Sequence, residues 1–378
     1  MVRPDYSGKG FVNLVASLVE AAGGRPRHAP LAALPASELR AASNVVFVIV
    51  DGLGDNYLRA NGAGGQLARH RRGQISAVFP STTASAITSS FTGATPLEHG
   101  LTGWFTYFSA AACVGAPLPF QRRGERNRMA ATAAQIFVEP SLFDGLSARS
   151  ITVSYRPIID STYNLHHCGS AARLAYDDLE GFLEQTVAAV RSGPEKKLVY
   201  AYWPEFDALS HQHGVASAET RAHFAALDAV FGELLVRLAG TDSIVVLTAD
   251  HGFMDSPAEE SIELPPELAA LLRFPLCGER RVAFCHVHDA KGFTARAKAF
   301  FGERAEVRPS RELQDEGWFG PGRAHADFAE RIGNVALVMN GRATVKDWVP
   351  GESRHLHIGN HGGISEDEMN IPLVVAAA

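Results

Sequence analysis

Short runs of apolar residues alternate along the chain with longer stretches in which apolar residues recur at helical spacing. Runs of four to eight apolar, often β-branched residues are typical of strands buried on both faces. The predicted strands are residues 45–50, 74–78, 149–155, 197–203, 243–248 and 371–375, and the predicted helices are residues 10–22, 82–93, 171–192 and 219–238. This alternation predicts an α/β fold with a mostly parallel sheet flanked by helices on both faces.

The pattern changes over residues 276–340, which predict a small α+β insertion in the core. The core would then comprise residues 1–275 and 341–378. A chain of 378 residues is long enough for one large α/β domain with such an insertion. Within the insertion, strands are expected over residues 281–287 and 334–339 and helices over residues 290–302 and 324–332.

Composition excludes several classes of protein. Lys and Arg total 35 and Asp and Glu total 41, so the net charge is 35 − 41 = −6, which does not suit a partner of duplex nucleic acid. No apolar run approaches the roughly 18–20 residues of a membrane span. The amino-terminal 22 residues lack the continuous apolar stretch of a signal peptide, so we expect a cytoplasmic protein with no membrane partner.

Acidic residues follow three of the predicted strands. Asp51 comes directly after the first strand, Asp207 lies four residues beyond the strand that ends at residue 203, and Asp250 follows the strand that ends at residue 248. In open α/β sheets, ligands bind in the crevice beyond the carboxyl ends of the strands. We therefore expect these three carboxylates to converge.

Histidines accompany these acids. His211 lies four residues after Asp207, His251 follows Asp250, and His361 lies in a glycine-containing loop before the last strand. Any one of the six side chains alone could be an ordinary turn, cap or core residue. Together, three carboxylates and three imidazoles without a thiolate suit zinc or another borderline divalent ion, and six ligands would serve two metals about 3.5–4 Å apart.

A candidate nucleophile follows Pro80. Residues 81–83 are Ser-Thr-Thr between a predicted strand and a predicted helix, where backbone N–H groups and the helix dipole favour an anion. A nearby metal would lower the pKa of a hydroxyl there and activate it without a histidine base. An ordinary Ser or Thr cap is the simpler interpretation, and the two are compatible because a capping hydroxyl is also exposed.

In their order along the chain, these motifs resemble the alkaline phosphatase superfamily, most closely its type I phosphodiesterase/nucleotide pyrophosphatase family. The resemblance spreads over residues 45–375 and is weaker over residues 105–195 and 255–355. The matching motifs are Val50-Asp51-Gly52, Phe79-Pro80-Ser81-Thr82-Thr83, Thr92-Gly93, Glu98-His99-Gly100, Asp207 with His211 and His213-Gly214, Thr248-Ala249-Asp250-His251-Gly252 and His361-Gly362-Gly363.

The resemblance implies an alkaline-phosphatase-like core that holds two zinc ions, with manganese or iron as alternatives. Thr83 would be the nucleophile and would form a covalent phospho-threonine intermediate. One ion would be bound by Asp51, Asp250 and His251, and the other by Asp207, His211 and His361.

One position departs from the family pattern. An asparagine that holds a phosphate oxygen is expected three residues after the nucleophile, where this chain has Ala86. Thr82 is a candidate substrate-binding replacement, as are a backbone N–H group and a side chain from residues 104–128. Within that stretch, the arginines of residues 122–128 are candidates for binding a second anionic group.

The resemblance implies a metal-dependent hydrolase of small phosphorylated substrates, most directly phosphodiesters or nucleotide pyrophosphates. A phosphomonoesterase or a phosphonate hydrolase of the same superfamily would use the same six ligands, and a catalytically silent metal-binding homologue is a further alternative. Residues 79–87 lack the Cys-x-Pro-x-Arg signature of sulfatases. The serine nucleophile and the additional ligands of cofactor-independent phosphoglycerate mutases do not appear either.

Overall fold

The apolar runs form the central sheet of the computed structural model, which describes residues 1–378. Because these strands are buried on both faces, almost every position in them is apolar. Eleven strands build the two largest sheets: β1 (Asn44–Val50), β2 (Arg71–Ser76), β3 (Arg149–Tyr155), β4 (Ala172–Tyr176), β5 (Lys197–Trp203), β6 (Ser243–Thr248), β7 (Cys277–Gly278), β8 (Val282–Cys285), β9 (Ala305–Pro309), β10 (Val335–Met339) and β11 (Asn370–Ala377).

The central sheet has seven strands in the order β2-β11-β6-β1-β5-β3-β4. The five strands from β6 to β4 are parallel, and β11 runs antiparallel to both of its neighbours. The prediction of a mostly parallel sheet is therefore confirmed. β1 lies in the middle, with Val50 opposite Trp203 of β5 and Ile49 opposite Thr248 of β6. This register brings the carboxyl ends of the three strands to one edge, where Asp51 and the loops after β5 and β6 begin.

Helices flank this sheet. α1 packs against α2, and α3 packs against α5 and against β3, β4 and β5. The helices of eight or more residues are α1 (Phe11–Ala21), α2 (Thr83–Thr92), α3 (Leu179–Val190), α4 (Glu205–His213), α5 (Ala218–Leu238) and α6 (Ala290–Phe301). None of the helices combines the length and the apolar character that a membrane crossing would require.

The remaining elements are short. The short helices are Ala36–Arg40, Asp55–Asn61, Gln66–His70, Pro96–His99, Ala133–Ile136, Arg156–Ile159, Thr162–His167, Pro266–Ala269, Ser310–Asp315, Phe328–Arg331 and Glu366–Met369, with 3₁₀ turns at Ser109–Ala111, Leu142–Gly145, Ala258–Glu260 and Gly302–Arg304. The short strands are Thr106–Phe108, Cys113–Ala116, Gln121–Arg122, Met254–Asp255, Ser261–Glu263, Thr344–Lys346 and Gly359–Asn360.

The prediction of one long helix over residues 171–192 is wrong. Its first part is the edge strand β4, which pairs with β3 in parallel, and only α3 is helical. Asp178 separates the two because it adopts an extended conformation and its side chain accepts a hydrogen bond from the Gly181 N–H, which caps α3. Two further predictions need smaller corrections, since β2 begins earlier than residue 74 and the helix expected over residues 324–332 is confined to Phe328–Arg331.

A second sheet lies between residues 277 and 339. Its strands are antiparallel in the order β7-β8-β10-β9, and a cluster of 17 buried apolar residues, distinct from the main core, packs beside them. The sheet falls inside the predicted insertion, whose boundaries stay a prediction. The turn between β7 and β8 carries Glu279 and Arg280 towards the carboxyl edge of the central sheet, where both line a cavity shared with Thr83.

Candidate active site

The six predicted ligands converge at the carboxyl edge of the central sheet. Asp51 follows β1, and Asp250 and His251 follow β6. Asp207 lies in the first turn of α4, and His211 is one helical turn later on the same face, which brings its Nε2 atom to 3.5 Å from Asp207 Oδ1. His361 comes from the loop before β11 and stacks on His251, with ring centroids 3.7 Å apart.

All three histidines engage a backbone carbonyl through the same ring atom. Nδ1 lies 2.9 Å from the Gly359 oxygen in His211, 3.1 Å from the Gly252 oxygen in His251 and 3.2 Å from the Ser81 oxygen in His361. A carbonyl only accepts hydrogen bonds, so Nδ1 carries the proton and Nε2 keeps its lone pair. Such contacts commonly orient histidine ligands of metals.

The three lone pairs surround a carboxylate oxygen. Asp207 Oδ1 is buried without a hydrogen-bond partner and lies 3.5, 3.7 and 4.0 Å from the Nε2 atoms of His211, His361 and His251. A buried acceptor that faces further acceptors is unfavourable unless a cation lies among them. The residues therefore fit a divalent ion.

The other two carboxylates complete the site. Asp51 Oδ1 is 3.2 Å from His251 Nε2, and Asp51 Oδ2 accepts a short hydrogen bond from the Tyr202 hydroxyl. Asp250 Oδ1 accepts hydrogen bonds from the Gly52 and His251 N–H groups. Its Oδ2 is buried without a partner, 3.5 Å from His251 Nε2.

The side chains form two candidate groups that share one member. Asp207, His211 and His361 form one, and Asp51, Asp207 and His251 form the other, with their ligand atoms within 4.8 Å of one another. Asp250, expected in the second group, lies beside it. The assignment of the six side chains to two particular ions stays a prediction.

Burial governs the protonation of these groups. It raises the pKa of Asp51 to about 6 and that of Asp250 to about 7, and it raises the pKa of Asp207 well above its ordinary value, with neighbouring carboxylates adding to the shift of Asp207 and Asp250. Burial lowers the pKa of His211 to about 4 and that of His361 well below its ordinary value. The imidazoles of His211 and His361 are thus neutral, and a cation bound among the carboxylates would favour their ionised form.

Thr83 lies at the start of α2 and faces this cluster. Its Oγ1 atom is 3.1 Å from His251 Nε2 and 3.4 Å from Asp51 Oδ1. As the first residue of a ten-residue helix, Thr83 lies where backbone N–H groups have no partner within the helix and the dipole favours negative charge. Its hydroxyl therefore combines proximity to the candidate metal ligands with an anion-binding backbone.

Several groups are candidates for binding the phosphate oxygen in place of the asparagine that the family pattern expects at Ala86, and they lie in different parts of the site. Ala86 is fully buried in the main hydrophobic core. The Thr82 hydroxyl donates a hydrogen bond to Glu279 Oε1 at 2.5 Å. From the arginines of residues 122–128, only Arg123 reaches the cavity beside Thr83, and Asp347 and Glu352 already pair with it. The unpaired N–H groups at the start of α2 remain available.

Two cavities open from Thr83, and Trp104 lines both. One, of about 470 Å³, extends past His211 and His361 to the β7–β8 turn and includes arginine, lysine and histidine side chains. The other, of about 820 Å³, is lined by tyrosines, Trp203 and apolar residues, and it contains no lysine, arginine or histidine. The Trp104 side chain is 41% exposed between them, so a substrate at Thr83 can contact it.

Glycines follow three of the ligands for steric reasons. Gly52, after Asp51, and Gly362, after His361, have φ values of +77° and +105°, which residues with side chains rarely adopt. Gly252, after His251, packs so closely that a Cβ atom there would lie 2.0 Å from the Asp367 carbonyl oxygen. The backbone can turn directly after these ligands only because a side chain is missing.

Sequence reasoning missed Tyr202, Glu279 and Arg280. Tyr202 is one apolar position among others in β5, and its role depends on the register with β1. Glu279 and Arg280 belong to the predicted insertion, and only its packing against the central sheet brings them to Thr83. An acidic residue followed by a basic one, between two apolar segments, was the sole sequence signal.

A family model described as type I phosphodiesterase/nucleotide pyrophosphatase matches residues 45–363. The match includes the predicted site residues, the insertion and every strand of the central sheet except β11, and the chain therefore belongs to this family. Among curated proteins, phosphopentomutase of Shewanella baltica is 31% identical over 87 residues, which are 23% of this chain and 21% of that protein. The chain thus spans about a fifth of the length of the curated relatives that it matches.

Solved structures show the same fold. Murine ectonucleotide pyrophosphatase/phosphodiesterase 5 superposes with a TM-score of 0.66 at 18% identity, covering 87% of each chain. Phosphonoacetate hydrolase from Sinorhizobium meliloti 1021, in complex with phosphonoformate, superposes with a TM-score of 0.63 at 17% identity, covering 87% of this chain and 89% of that chain. These likenesses show that the chain shares its fold with both proteins.

Proposed function

We propose that the protein is a two-metal hydrolase of small phosphoric esters in which Thr83 is the nucleophile. The observation that carries the proposal is the set of three Nε2 lone pairs around the buried, unpartnered Oδ1 atom of Asp207, with the Thr83 hydroxyl 3.1 Å from one of them. Family membership supports the reaction class. Phosphodiesters and nucleotide pyrophosphates are the substrates that we propose first.

The ligand set favours zinc, because carboxylates and imidazoles without thiolates suit it, and manganese or iron would fit the same donors. We propose that Asp51, Asp250 and His251 hold one ion and that Asp207, His211 and His361 hold the other. When bound, such ions supply Lewis acidity to the phosphoryl oxygens and lower the pKa of a nearby hydroxyl.

In the first step, Thr83 Oγ1 forms a bond to phosphorus while the bond from phosphorus to the leaving oxygen breaks. The threonine proton passes to solvent and the leaving oxygen takes up a proton. The N–H groups at the start of α2 bind the oxygens on which charge develops. In the second step a water oxygen attacks the phospho-threonine, and Thr83 recovers its hydroxyl. One water is consumed overall.

A solved structure of similar fold supports the role of a threonine. Murine ectonucleotide pyrophosphatase/phosphodiesterase 5 has been solved as an inactive threonine-to-alanine variant in complex with AMP. By analogy, a single threonine hydroxyl in this chain would be essential, and Thr83 is the threonine hydroxyl in contact with the predicted ligands.

A phosphonate hydrolase is the second candidate. The similar fold of phosphonoacetate hydrolase and the basic residues in the smaller cavity favour it. Its substrates would place a phosphonate at Thr83 and break a carbon–phosphorus bond instead of an oxygen–phosphorus bond. A substrate panel of bis-p-nitrophenyl phosphate, p-nitrophenyl phosphate and a phosphonate separates diesterase, monoesterase and phosphonate activity.

The direct test replaces Thr83 with alanine in zinc-loaded protein. We expect turnover of the preferred p-nitrophenyl ester to fall by more than about 10³-fold, with the metal content unchanged. Ser85→Ala is the matched control, since Ser85 lies in the same helical turn and its hydroxyl donates to the Leu101 carbonyl. A Thr83→Ala variant with near-normal turnover would remove Thr83 from the proposed role.

A further inference from the structure

The smaller cavity contains a cation without an ionic partner. Arg280, in the turn between β7 and β8, lines this cavity together with Thr83 and Asp207. Its guanidinium donates one hydrogen bond, to the His355 carbonyl at 3.1 Å, and lies 6.0 Å from the centre of the Trp348 ring. No carboxylate lies within ion-pair distance of it. A half-buried arginine with free donors is a ready site for an anion.

The other arginine of the cavity differs. Arg123 is almost fully buried, lies 2.7 Å from Asp347 Oδ1 and 2.8 Å from Glu352 Oε1, and donates to two backbone carbonyls. Its donors are satisfied within the protein. Among the arginines of residues 122–128, the candidates for binding a second anion, the one that lines this cavity is therefore already paired, and the unpaired cation of the cavity comes from the insertion.

No acid of the cavity forms an ion pair with Arg280. Glu279 Oε1 accepts hydrogen bonds from the Thr82 hydroxyl at 2.5 Å and from the Trp104 N–H at 2.6 Å. Asp347 and Glu352 pair with Arg123. The lining holds these three carboxylates and that of Asp207 beside three permanent cations, Arg123, Arg280 and Lys346, of which Arg280 is the one without a carboxylate within ion-pair distance.

Lys346 reinforces the positive end of the cavity. Its Nζ atom is 3.6 Å from a Glu352 oxygen and lies over the rings of Phe105 and Trp348, at 5.7 and 4.6 Å from their centres. Glu352 is already paired with Arg123. Lys346 therefore keeps donors for a further anion.

The larger cavity disfavours an anion by its charge. It has no basic side chain, and the acidic residues Asp178 and Glu205 of its lining would repel one. A substrate held at Thr83 by its phosphoryl group can place a second charged group in one of the two cavities only. The charges direct it towards Arg280.

We propose that Arg280, with Lys346 beside it, binds a second anionic group of the substrate, a carboxylate or a phosphate a few atoms from the phosphorus that Thr83 attacks. This inference rests on the proposed function and narrows it to bifunctional anions. Substrates of this class combine a phosphoryl group at Thr83 with a distal anion in the basic cavity. Simple esters with one charged group would bind more weakly.

The test compares two probes of the same shape. Phosphonoacetate carries a distal carboxylate, and phosphonoacetamide carries a neutral amide in its place. Calorimetric titration of zinc-loaded protein should give a Kd for phosphonoacetate that is lower by about tenfold or more than the Kd for phosphonoacetamide. The reason is that the carboxylate, unlike the amide, forms a hydrogen bond with Arg280 in which both groups are charged. Arg280→Gln should bring the ratio of the two Kd values close to one, with the Kd of phosphonoacetamide nearly unchanged.

Two further variants keep the test specific. Arg280→Lys retains the positive charge and should restore part of the ratio of the two Kd values that Arg280→Gln removes. A variant that had lost the ratio through misfolding would not show this recovery. Arg122→Gln is the matched control, since Arg122 is exposed, lies 3.6 Å from Glu125 and does not line the cavity. Methylenediphosphonate compared with methylphosphonate then shows whether a distal phosphate is preferred over a carboxylate.

A ratio near one in the wild type, or a ratio that Arg280→Gln leaves intact, would overturn the inference. Turnover of the p-nitrophenyl esters is measured separately on the same preparation, so failure of the proposed function is distinguishable. If the wild type turns over the p-nitrophenyl esters but shows a Kd ratio near one, the anion site at Arg280 is refuted and the proposed hydrolase activity is not. A high ratio that Arg280→Gln abolishes, in a protein that turns over neither the p-nitrophenyl esters nor phosphonoacetate, supports the anion site and refutes the hydrolase.

Discussion

Replacing Tyr202 with phenylalanine removes one hydrogen bond from the candidate metal site and leaves the packing in place. The Tyr202 hydroxyl donates to Asp51 Oδ2 inside a fully buried pair, and burial keeps the pKa of Tyr202 well above its ordinary value, so the hydroxyl remains a donor. This bond occupies one oxygen of Asp51. The other, Oδ1, is left facing His251 and Thr83.

The expected effect follows from that bond. A hydrogen bond to a charged group contributes about 1.5–3 kcal/mol, and a tenfold change in affinity corresponds to about 1.4 kcal/mol. Groups that orient metal ligands typically change metal affinity by about 10–100-fold when removed. We therefore expect Tyr202→Phe to raise the Kd for zinc by about 10–100-fold, as measured by competition with a chromophoric chelator.

Tyr200→Phe is the control. Tyr200 lies two residues away on β5, is also buried and lines the same cavity. Its hydroxyl forms a hydrogen bond of 2.8 Å with Ser90 Oγ, away from the ligands. Its removal should leave the zinc Kd within about twofold, even if stability falls. Equal weakening by both variants, or none by Tyr202→Phe, would refute the role assigned to the Tyr202 hydroxyl.

Three more predictions concern stability. Glu368→Gln breaks a buried ion pair with Arg281 and should lower the free energy of unfolding by about 3 kcal/mol or more, as measured by denaturant titration. Asp177→Asn breaks an exposed ion pair with Arg156 and should change the free energy of unfolding little. Burial raises the pKa of Asp250 from 3.8 to about 7, so without metal the folded protein favours the protonated carboxyl and loses stability as the pH rises from about 4 to about 7. In the presence of a chelator, the Tm of Asp250→Asn should therefore exceed that of the wild type by an amount that grows over this pH range. A Tm difference that stays constant with pH would contradict this prediction. Gly252→Ala should destabilise the fold by about 1–3 kcal/mol, because its Cβ would meet a carbonyl, and an unchanged Tm would refute the clash.

The site was predictable from sequence to the extent that it depends on strand ends. Asp51 and Asp250 follow buried parallel strands, and the carboxyl ends of such strands meet at one edge whatever the details of packing. His211 was predictable because one helical turn separates it from Asp207. These relations are local or follow from the class of fold alone.

The remaining features depend on packing that short-range patterns do not encode. The amphipathic stretch that follows the five residues of β4 predicts a single helix over both segments, and only the pairing of β4 with β3 makes it a strand. Arg280 lines the cavity at Thr83 because the insertion folds against the central sheet. Arg280 and Thr83 are about 200 positions apart in the sequence, so no local pattern indicates that they share a cavity.

The central claim is that this site holds two metal ions and hydrolyses phosphoric esters. Elemental analysis of protein purified without added metal, together with hydrolysis of bis-p-nitrophenyl phosphate and p-nitrophenyl phosphate, tests it most directly. The account predicts about two zinc ions per chain and turnover of at least one ester, as expected for a two-metal site. A protein that binds no metal even after reconstitution with zinc, and hydrolyses neither ester, would contradict it.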